Sequence, residues 1–292
     1  MLSLHTNAAA LSSQNALGNS QRDLTTSLTR LGTGYRVNSA MDDAAGLQIA
    51  VRLDSQTRGM TVAQKNTQNG ISMMQTAEGA FTELTNVLLR MKDLSTEAFN
   101  ASTTADDKTA LQAEFDALGT ELGNIVKNTS FGGAKLFSDG TTTDGSNGLL
   151  SAAITFQIGA GSSETMDVDT ATSLTAIATA VDAVTSNYGT PGTAGTELTA
   201  GTNAILDNID TALTDVGTMR AQLGASANRL DHVYNNLGNM ITNTVASRGR
   251  IMDVDYASET SNSTSKQMLL QAGTSALKQS SSLSQLVMSL MQ

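Results

Sequence analysis

The stretch from Met41 to Ala98 constrains this chain more than any other, because it reads as a single helix. Ile71, Met74, Ala77, Phe81, Leu84, Leu88 and Met91 recur at intervals of three and four, which puts them on one helical face. At about 1.5 Å per residue such a helix is roughly 85 Å long, more than a compact core uses. Ser39-Ala40-Met41-Asp42 opens it with a capping-box pattern, the Ser39 hydroxyl capping a free N–H and Asp42 reaching back. Asp43 adds a second negative charge to the first turn. Gly46, Gly59, Gly70 and Gly79 lie inside, each costing about 1 kcal/mol relative to alanine. Either the helix breaks near one of them, or they let another backbone come close.

A second long period runs through Ile205, Ile209, Ala212, Val216, Met219, Leu223, Ser226, Leu230, Val233, Leu237 and Met240, alternating four and three. Sustained over five heptads, it predicts a coiled-coil helix. Between the two, Thr104-Ala105-Asp106-Asp107 is another capping box. Leu111, Phe115, Leu118, Leu122 and Ile125 then predict a shorter helix running back antiparallel to the first. Phe131-Gly132-Gly133 and the segment Ser138 to Gly148 are turn chemistry. Ile154, Phe156 and Ile158 alternate, Gly159 to Ser163 turns, and Met166 and Val168 alternate again, which predicts a β-hairpin. Leu174, Ile177, Val181 and Val184 predict a short helix, followed by a loop from Asn187 to Gly195 around Pro191, the only proline.

The two ends mirror each other. Leu4, Ala8, Leu11, Leu17, Leu24, Leu28 and Leu31 fit an apolar seam on a helix that stops at Gly32-Thr33-Gly34. Tyr35-Arg36-Val37-Asn38 links it onward. Near the other end a polar joint, Arg248 to Asp255, precedes a helix from about Tyr256, with Leu269, Ala276, Leu283 and Leu290 at seven-residue intervals and Leu286 between the last two. The two termini most economically pair with each other. Fixing roughly 28 residues costs about 30 to 55 kcal/mol. Seven apolar side chains return about 1.5 to 3 kcal/mol apiece only when buried. The ends are therefore expected to be largely disordered in a monomer and to become helical on assembly. The fold class expected is mainly α: a long coiled-coil helical rod formed by both chain ends, with a small β-hairpin region in the middle.

Composition narrows the function. Aromatic residues make up 3% of the chain and tryptophan is absent, so burial must come from repeated small and medium side chains, including 13 Met. A formal net charge of -10 argues against nucleic acid, whose phosphates require clustered Lys and Arg. Without cysteine there are neither disulfides nor thiolate metal sites. The start, Met1-Leu2-Ser3-Leu4-His5-Thr6-Asn7, lacks the pattern of a cleaved signal peptide, and no apolar run is long enough for membrane insertion.

No constellation of acid, base, nucleophile or metal ligand emerges, so an enzyme is not expected and no cofactor is implied. His5 and His232 stand without partners at ligand spacing. Asp42 and Asp43 sit where capping and helix-dipole roles apply. Gly32-Thr33-Gly34 follows a helix, unlike a phosphate loop. Asp139 to Gly148 is rich in Asp, Asn and Gly but does not fit an EF-hand loop. Arg248 and Arg250 read as a solvated joint that can fix the angle between helices.

Several stretches carry a family resemblance. They are Leu31-Gly32-Thr33-Gly34-Tyr35-Arg36-Val37-Asn38-Ser39-Ala40 with Asp42-Asp43-Ala44-Ala45-Gly46, and Asn69-Gly70-Ile71-Ser72 with Gln75-Thr76-Ala77-Glu78-Gly79-Ala80. Towards the other end stand Asp253-Val254-Asp255-Tyr256-Ala257-Ser258-Glu259 and Gln271-Ala272-Gly273-Thr274-Ser275. Over about residues 1 to 170 and 200 to 292 the chain resembles the bacterial flagellins, subunits of the flagellar filament.

The resemblance implies a secreted, extracellular protein of the bacterial flagellum, exported unfolded by the type III apparatus without a cleaved signal peptide. It implies a helical homopolymer used for motility, with an export chaperone, a filament cap and hook-junction proteins as partners. A D0 part would comprise 1–40 and 251–292, and a D1 part 41–170 and 201–250, leaving 171–200 as a short insertion whose Ser and Thr could accept O-glycans. Core assembly contacts would come from Leu4, Leu11, Leu24, Leu28, Leu31, Leu269, Leu277, Leu283, Leu286 and Leu290. Arg90, Leu94 and Glu114 match positions at which a flagellin-sensing Toll-like receptor binds. The alternatives are a hook–filament junction protein, which shares such ends but caps rather than polymerises, and a signalling coiled coil.

Overall fold

The structure is a computed structural model that describes residues 8–192 and 194–290; of residues 9, 281 and 283–290 only the backbone is described. It is mainly helical: α1 (Ala8–Thr33), α2 (Ala44–Ala98), α3 (Ala105–Asn128), α4 (Ala171–Val184), α5 (Ala204–Met252) and α6 (Tyr256–Leu290). Two small antiparallel hairpins lie between α3 and α4: β1 (Ser130–Phe131) with β2 (Ala134–Lys135), and β3 (Ile154–Gln157) with β4 (Thr165–Val168). The chain divides into two compact units, one of residues 1–57 and 242–292, the other of residues 58–241.

In the second unit, burial follows the predicted stripes on the long helices. Ile71, Met74, Ala77, Phe81, Leu84, Leu88 and Met91 of α2 are all buried, as are Ile205, Ile209, Ala212, Val216, Met219, Leu223 and Leu230 of α5. The helices run antiparallel, shown by the Lys92–Asp210 ion pair, Arg220 against Glu78 at 3.9 Å, and Leu230 beside Gly70. The Phe81 ring meets Phe137 at a centroid distance of 4.7 Å, tilted by 52°, within the favourable range for an aromatic pair. Leu174, Ile177, Val181 and Val184 of α4 face the same core.

Helix α3 starts as its sequence dictates. Thr104 accepts the Asp107 N–H, and Asp107 accepts the Thr104 N–H, a complete capping box. Its buried stripe, however, is Gln112, Phe115, Gly119, Leu122 and Val126 rather than the expected Leu111, Phe115, Leu118, Leu122 and Ile125; Leu111, Leu118 and Ile125 are half-buried. The cause is the segment that follows α4. The Gln112 amide donates to Asp116 and Glu197, both at 2.8 Å, and accepts the Leu198 N–H at 2.6 Å. Thr185 and Asn187 lie where a side chain on Gly119 would be. A polar side chain is thus buried because both its amide hydrogens and its oxygen have partners.

Hairpin β1–β2 turns on Gly132 and Gly133, both at positive φ, as a two-residue turn of this kind requires. In β3–β4, Ile154 pairs with Val168 and Phe156 with Met166, the alternation read from the sequence. This second hairpin explains two glycines of α2. A Cβ on Gly59 would lie 2.7 Å from the Ala160 Cβ and 3.1 Å from its Cα; one on Gly70 would meet the Phe156 ring at 2.9 Å. The helix does not break at either, and the hairpin side of the molecule comes close instead. Around a would-be Cβ on Gly79 there is open space.

Two expected boundaries move. Helix α2 begins at Ala44 rather than Met41, because the Ser39/Asp42 pattern closes a turn ahead of the helix and Asp43 is the cap, accepting the Gly46 N–H at 2.8 Å. Helix α5 runs through to Met252, so the joint from Arg248 shrinks to Asp253–Asp255. Arg248 is paired with Asp54 on α2, and Arg250 donates to Ser247 at 2.9 Å.

The glycine contacts make opposed predictions. Gly79→Ala is expected to stabilise the protein by up to about 1 kcal/mol through helix propensity. Gly59→Ala is expected to destabilise it by about 1 to 3 kcal/mol through overpacking. Denaturant titration of both variants checks this; a stabilised Gly59→Ala would show that the hairpin does not press on α2.

Candidate assembly surface on the paired terminal helices

Within the first unit, α1 and α6 pack antiparallel. Leu17 lies against Gly273, Lys266 donates to Asp23 at 2.7 Å, and Arg30 approaches Glu259 at 3.9 Å. The stripe of α1 turned inward is Ala10, Ser13, Leu17, Ser20, Leu24, Ser27 and Leu31, and that of α6 is Glu259, Ser263, Lys266, Leu270, Gly273, Leu277 and Ser280. Leucine alternates with a small residue on α1, and the register places Ser20 near the level of Leu270 and Ser13 near Leu277. Large side chains therefore face small ones, which lets the helices approach closely.

This differs from the expected seams. Leu24 is buried and Leu31 and Leu277 are half-buried, but Leu11 is 56% exposed, Leu28 50% and Leu269 52%, and Ala276 is also exposed. The seven-residue spacing of Leu269 and Ala276 is genuine, yet the pair buries the stripe one residue further along. A second helix can cover only one face, so leucines on a neighbouring face stay open. Met268, 59% exposed, joins them. Leu4 and the side chains of Leu283, Leu286 and Leu290 lie outside the described residues.

The joints are stitched together. The Arg36 N–H donates to the Met252 carbonyl at 2.6 Å, the Val254 N–H to the Gly34 carbonyl at 3.0 Å, and Tyr35 bridges Asp253 in antiparallel fashion. The Arg36 guanidinium donates to the Ile251 carbonyl at 2.7 Å. Gly34, at φ +77°, carries no side chain where the Tyr256 hydroxyl sits. Neither the bridge nor the buried Glu259 beside Arg30 was read from the sequence; the glycine after α1 was the only signal.

In the other unit, Arg90 and Glu114 form an exposed ion pair, the Nε and Nη2 groups donating to one carboxylate oxygen at 2.9 and 2.7 Å. Leu94 is buried in the core beneath, so of the three residues matched to a receptor site, two share a surface and the third does not reach it. Asp139 and Asp144 close local turns with Thr141 and Ser146. Among the described residues, no three His, Asp or Glu side chains gather as metal ligands, and no helix is long and apolar enough to cross a membrane.

The terminal helix pair keeps apolar residues open to solvent, and the other unit is built on long antiparallel helices. A family model described as the bacterial flagellin N-terminal helical region matches residues 4–142, and one described as the bacterial flagellin C-terminal helical region matches residues 206–291. Relatives include Flagellin A of Vibrio anguillarum, 34% identical over 377 positions and all of both chains, and Polar flagellin F of Vibrio parahaemolyticus serotype O3:K6 (strain RIMD 2210633), 34% identical over 99% of each. The crystal structure of Bacillus cereus flagellin aligns at 29% identity and a TM-score of 0.47, covering 59% of this chain and 88% of that one. The chain belongs to the bacterial flagellin family. That family is structural, not enzymatic. The 377 aligned positions against 292 residues leave 85 positions that this chain lacks relative to Flagellin A.

The turn before α2 gives a pH test. The Ser39 and Asn38 N–H groups hold the Asp42 carboxyl below its ordinary 3.8. A carboxyl depressed in the folded state stabilises above its unfolded pKa, and that contribution fades as pH falls through the folded value. Hydrogen-exchange protection of the Asn38 and Ser39 amides is expected to persist down to about pH 4, the unfolded aspartate range, and to decline only below it. Asp42→Asn should weaken it already at neutral pH; unchanged protection there would mean that the carboxylate does not hold the turn.

Proposed function

We propose that the chain is the structural subunit of an extracellular bacterial flagellar filament, whose terminal helices form the filament core and complete their ordering on assembly. The observation that carries this is the open apolar face of the α1/α6 pair in a chain of the flagellin family. Leu11, Leu28, Met268 and Leu269 are each about half exposed. Covering what remains of each is worth on the order of 1 kcal/mol. Within α1 and α6, Leu24 is the one apolar side chain fully buried among the described residues. So thin a core supports ordering that depends on neighbouring copies.

The family's role also supports an export chaperone, a filament cap and hook-junction proteins as partners, outside any covalent or catalytic chemistry. A flagellin-sensing Toll-like receptor is a further candidate, meeting Arg90 and Glu114 at the surface while Leu94 supports them from beneath. The relatives carry flagellin names, which favours the filament subunit over a hook–filament junction protein or a signalling coil.

Seeded polymerisation tests the proposal. Sheared fragments added to monomer are expected to grow into long uniform filaments. Leu11→Glu with Leu269→Glu is expected to block growth while leaving the melting of the 58–241 unit unchanged. Filaments of ordinary length from that double variant would overturn the role given to these faces.

A further inference from the structure

We infer that Asn147 is a site of spontaneous covalent modification, at which the Gly148 nitrogen closes on the side-chain amide and converts asparagine to aspartyl and isoaspartyl products, and that the fold confines this reaction to Asn147. The inference stands apart from the filament reading. A backbone nitrogen reaches the preceding carboxamide most readily when it belongs to glycine, which has no side chain to obstruct the approach. The sequence holds two Asn-Gly pairs, Asn69-Gly70 and Asn147-Gly148, and two Asp-Gly pairs, Asp139-Gly140 and Asp144-Gly145, which can react in the same way. In the reaction the Gly148 nitrogen bonds to Asn147 Cγ, the Cγ–Nδ2 bond breaks, and ammonia leaves with the proton given up by the Gly148 N–H. Water then opens either C–N bond of the cyclic imide, giving aspartate or its isoaspartyl isomer.

The structure separates the four pairs. Gly70 lies inside α2, where its N–H belongs to the helical ladder, and Phe156 and Leu230 close over it. The Asp139 carboxylate accepts the Thr141 hydroxyl and the N–H groups of Thr141 and Thr142, at 2.7 and 3.2 Å for the latter two. Asp144 accepts the Ser146 hydroxyl at 2.6 Å and the Ser146 N–H at 3.0 Å. These donors hold both carboxyls below the ordinary 3.8. An ionised carboxylate bound to groups further along the chain is a poor target for the nitrogen next to it. Asn147, in contrast, is exposed on the loop between β2 and β3, at φ 64°, the only residue besides glycine at positive φ among those described. Asparagine is one of the few side chains that tolerate this backbone. Its carboxamide makes one hydrogen bond among the described residues, donated to the Ser146 hydroxyl at 3.1 Å. Its backbone is held by an isolated bridge to Ser138, so a brief local opening brings Cγ over the Gly148 nitrogen. The fold also keeps the glycine in place, since a Cβ on Gly148 would lie 2.3 to 2.6 Å from backbone atoms of Leu136, Phe137 and Ser138. Conversion sets a new negative charge near Asp144, and the isoaspartyl form lengthens the backbone at the bridge to Ser138.

The test compares the folded chain with the same chain in denaturant. Both are incubated at mildly alkaline pH, which favours loss of the Gly148 N–H proton, and their fragments are followed by mass spectrometry and by chromatography that separates aspartyl from isoaspartyl peptides. In denaturant Asn69 and Asn147 are expected to convert at similar rates. In the folded chain Asn147 is expected to go on converting while Asn69 slows about tenfold or more, because its reaction requires opening of a buried helix. Asn147→Gly, which suits the same backbone, is expected to abolish the accompanying shift on isoelectric focusing and to leave thermal melting unchanged. An Asn147 amide that stays intact in the folded chain while the denatured chain converts would overturn the inference. So would folded protein in which Asn69, Asp139 or Asp144 reacts as fast as Asn147.

Discussion

The antiparallel register of α2 on α5 underlies the larger unit of this protein. It is set by apolar side chains meeting at intervals of three and four, and by Leu230 lying where Gly70 leaves room. The ion pairs along it, Lys92–Asp210 and Glu78–Arg220, are substantially exposed and contribute little on their own. Everything else in that unit is added to this pair. The β3–β4 hairpin rests on the glycines of α2, and α3 presents Gln112 and Gly119 to the chain that follows α4.

The terminal helices solve a different problem. A pair of helices can hide one stripe each, yet α1 and α6 carry apolar residues on more than one. Leu17 against Gly273 shows the economy of the buried stripe, where a large side chain meets none. The leucines left over stay at the surface of the pair. In the filament role proposed above, these open faces are the ones that neighbouring copies cover.

The helical spacing of the terminal helices was legible in the sequence, but not which face turns inward. Leu24 and Leu31 lie on the inward face as read, whereas Leu11, Leu28 and Leu269 point away and Leu277, outside the expected seam, turns inward. Heptad spacing reports that residues share a face; it does not say which of two adjacent faces meets the partner. Leu94 escaped in the same way, since a match of residue type says nothing of depth. Gln112 was missed because a buried glutamine is stable only when its partners arrive from elsewhere, here Glu197 and Leu198.

By itself the sequence determined the helical class, the capping box at Thr104, the β3–β4 hairpin, the five-heptad run of α5, the pairing of the two ends and the family. The elements follow from local spacing and turn chemistry, which act over a few residues, and the family from the resemblance of its motifs. The tertiary structure alone decided which stripe each terminal helix buries, where α5 stops, and why Gly59 and Gly70 are tolerated. It also stitched Gly34–Arg36 to Met252–Val254. Those choices depend on groups far apart in the chain, about a hundred positions for Gly59 and Ala160 and more than two hundred across the joint, and no local pattern encodes the steric fit that selects them.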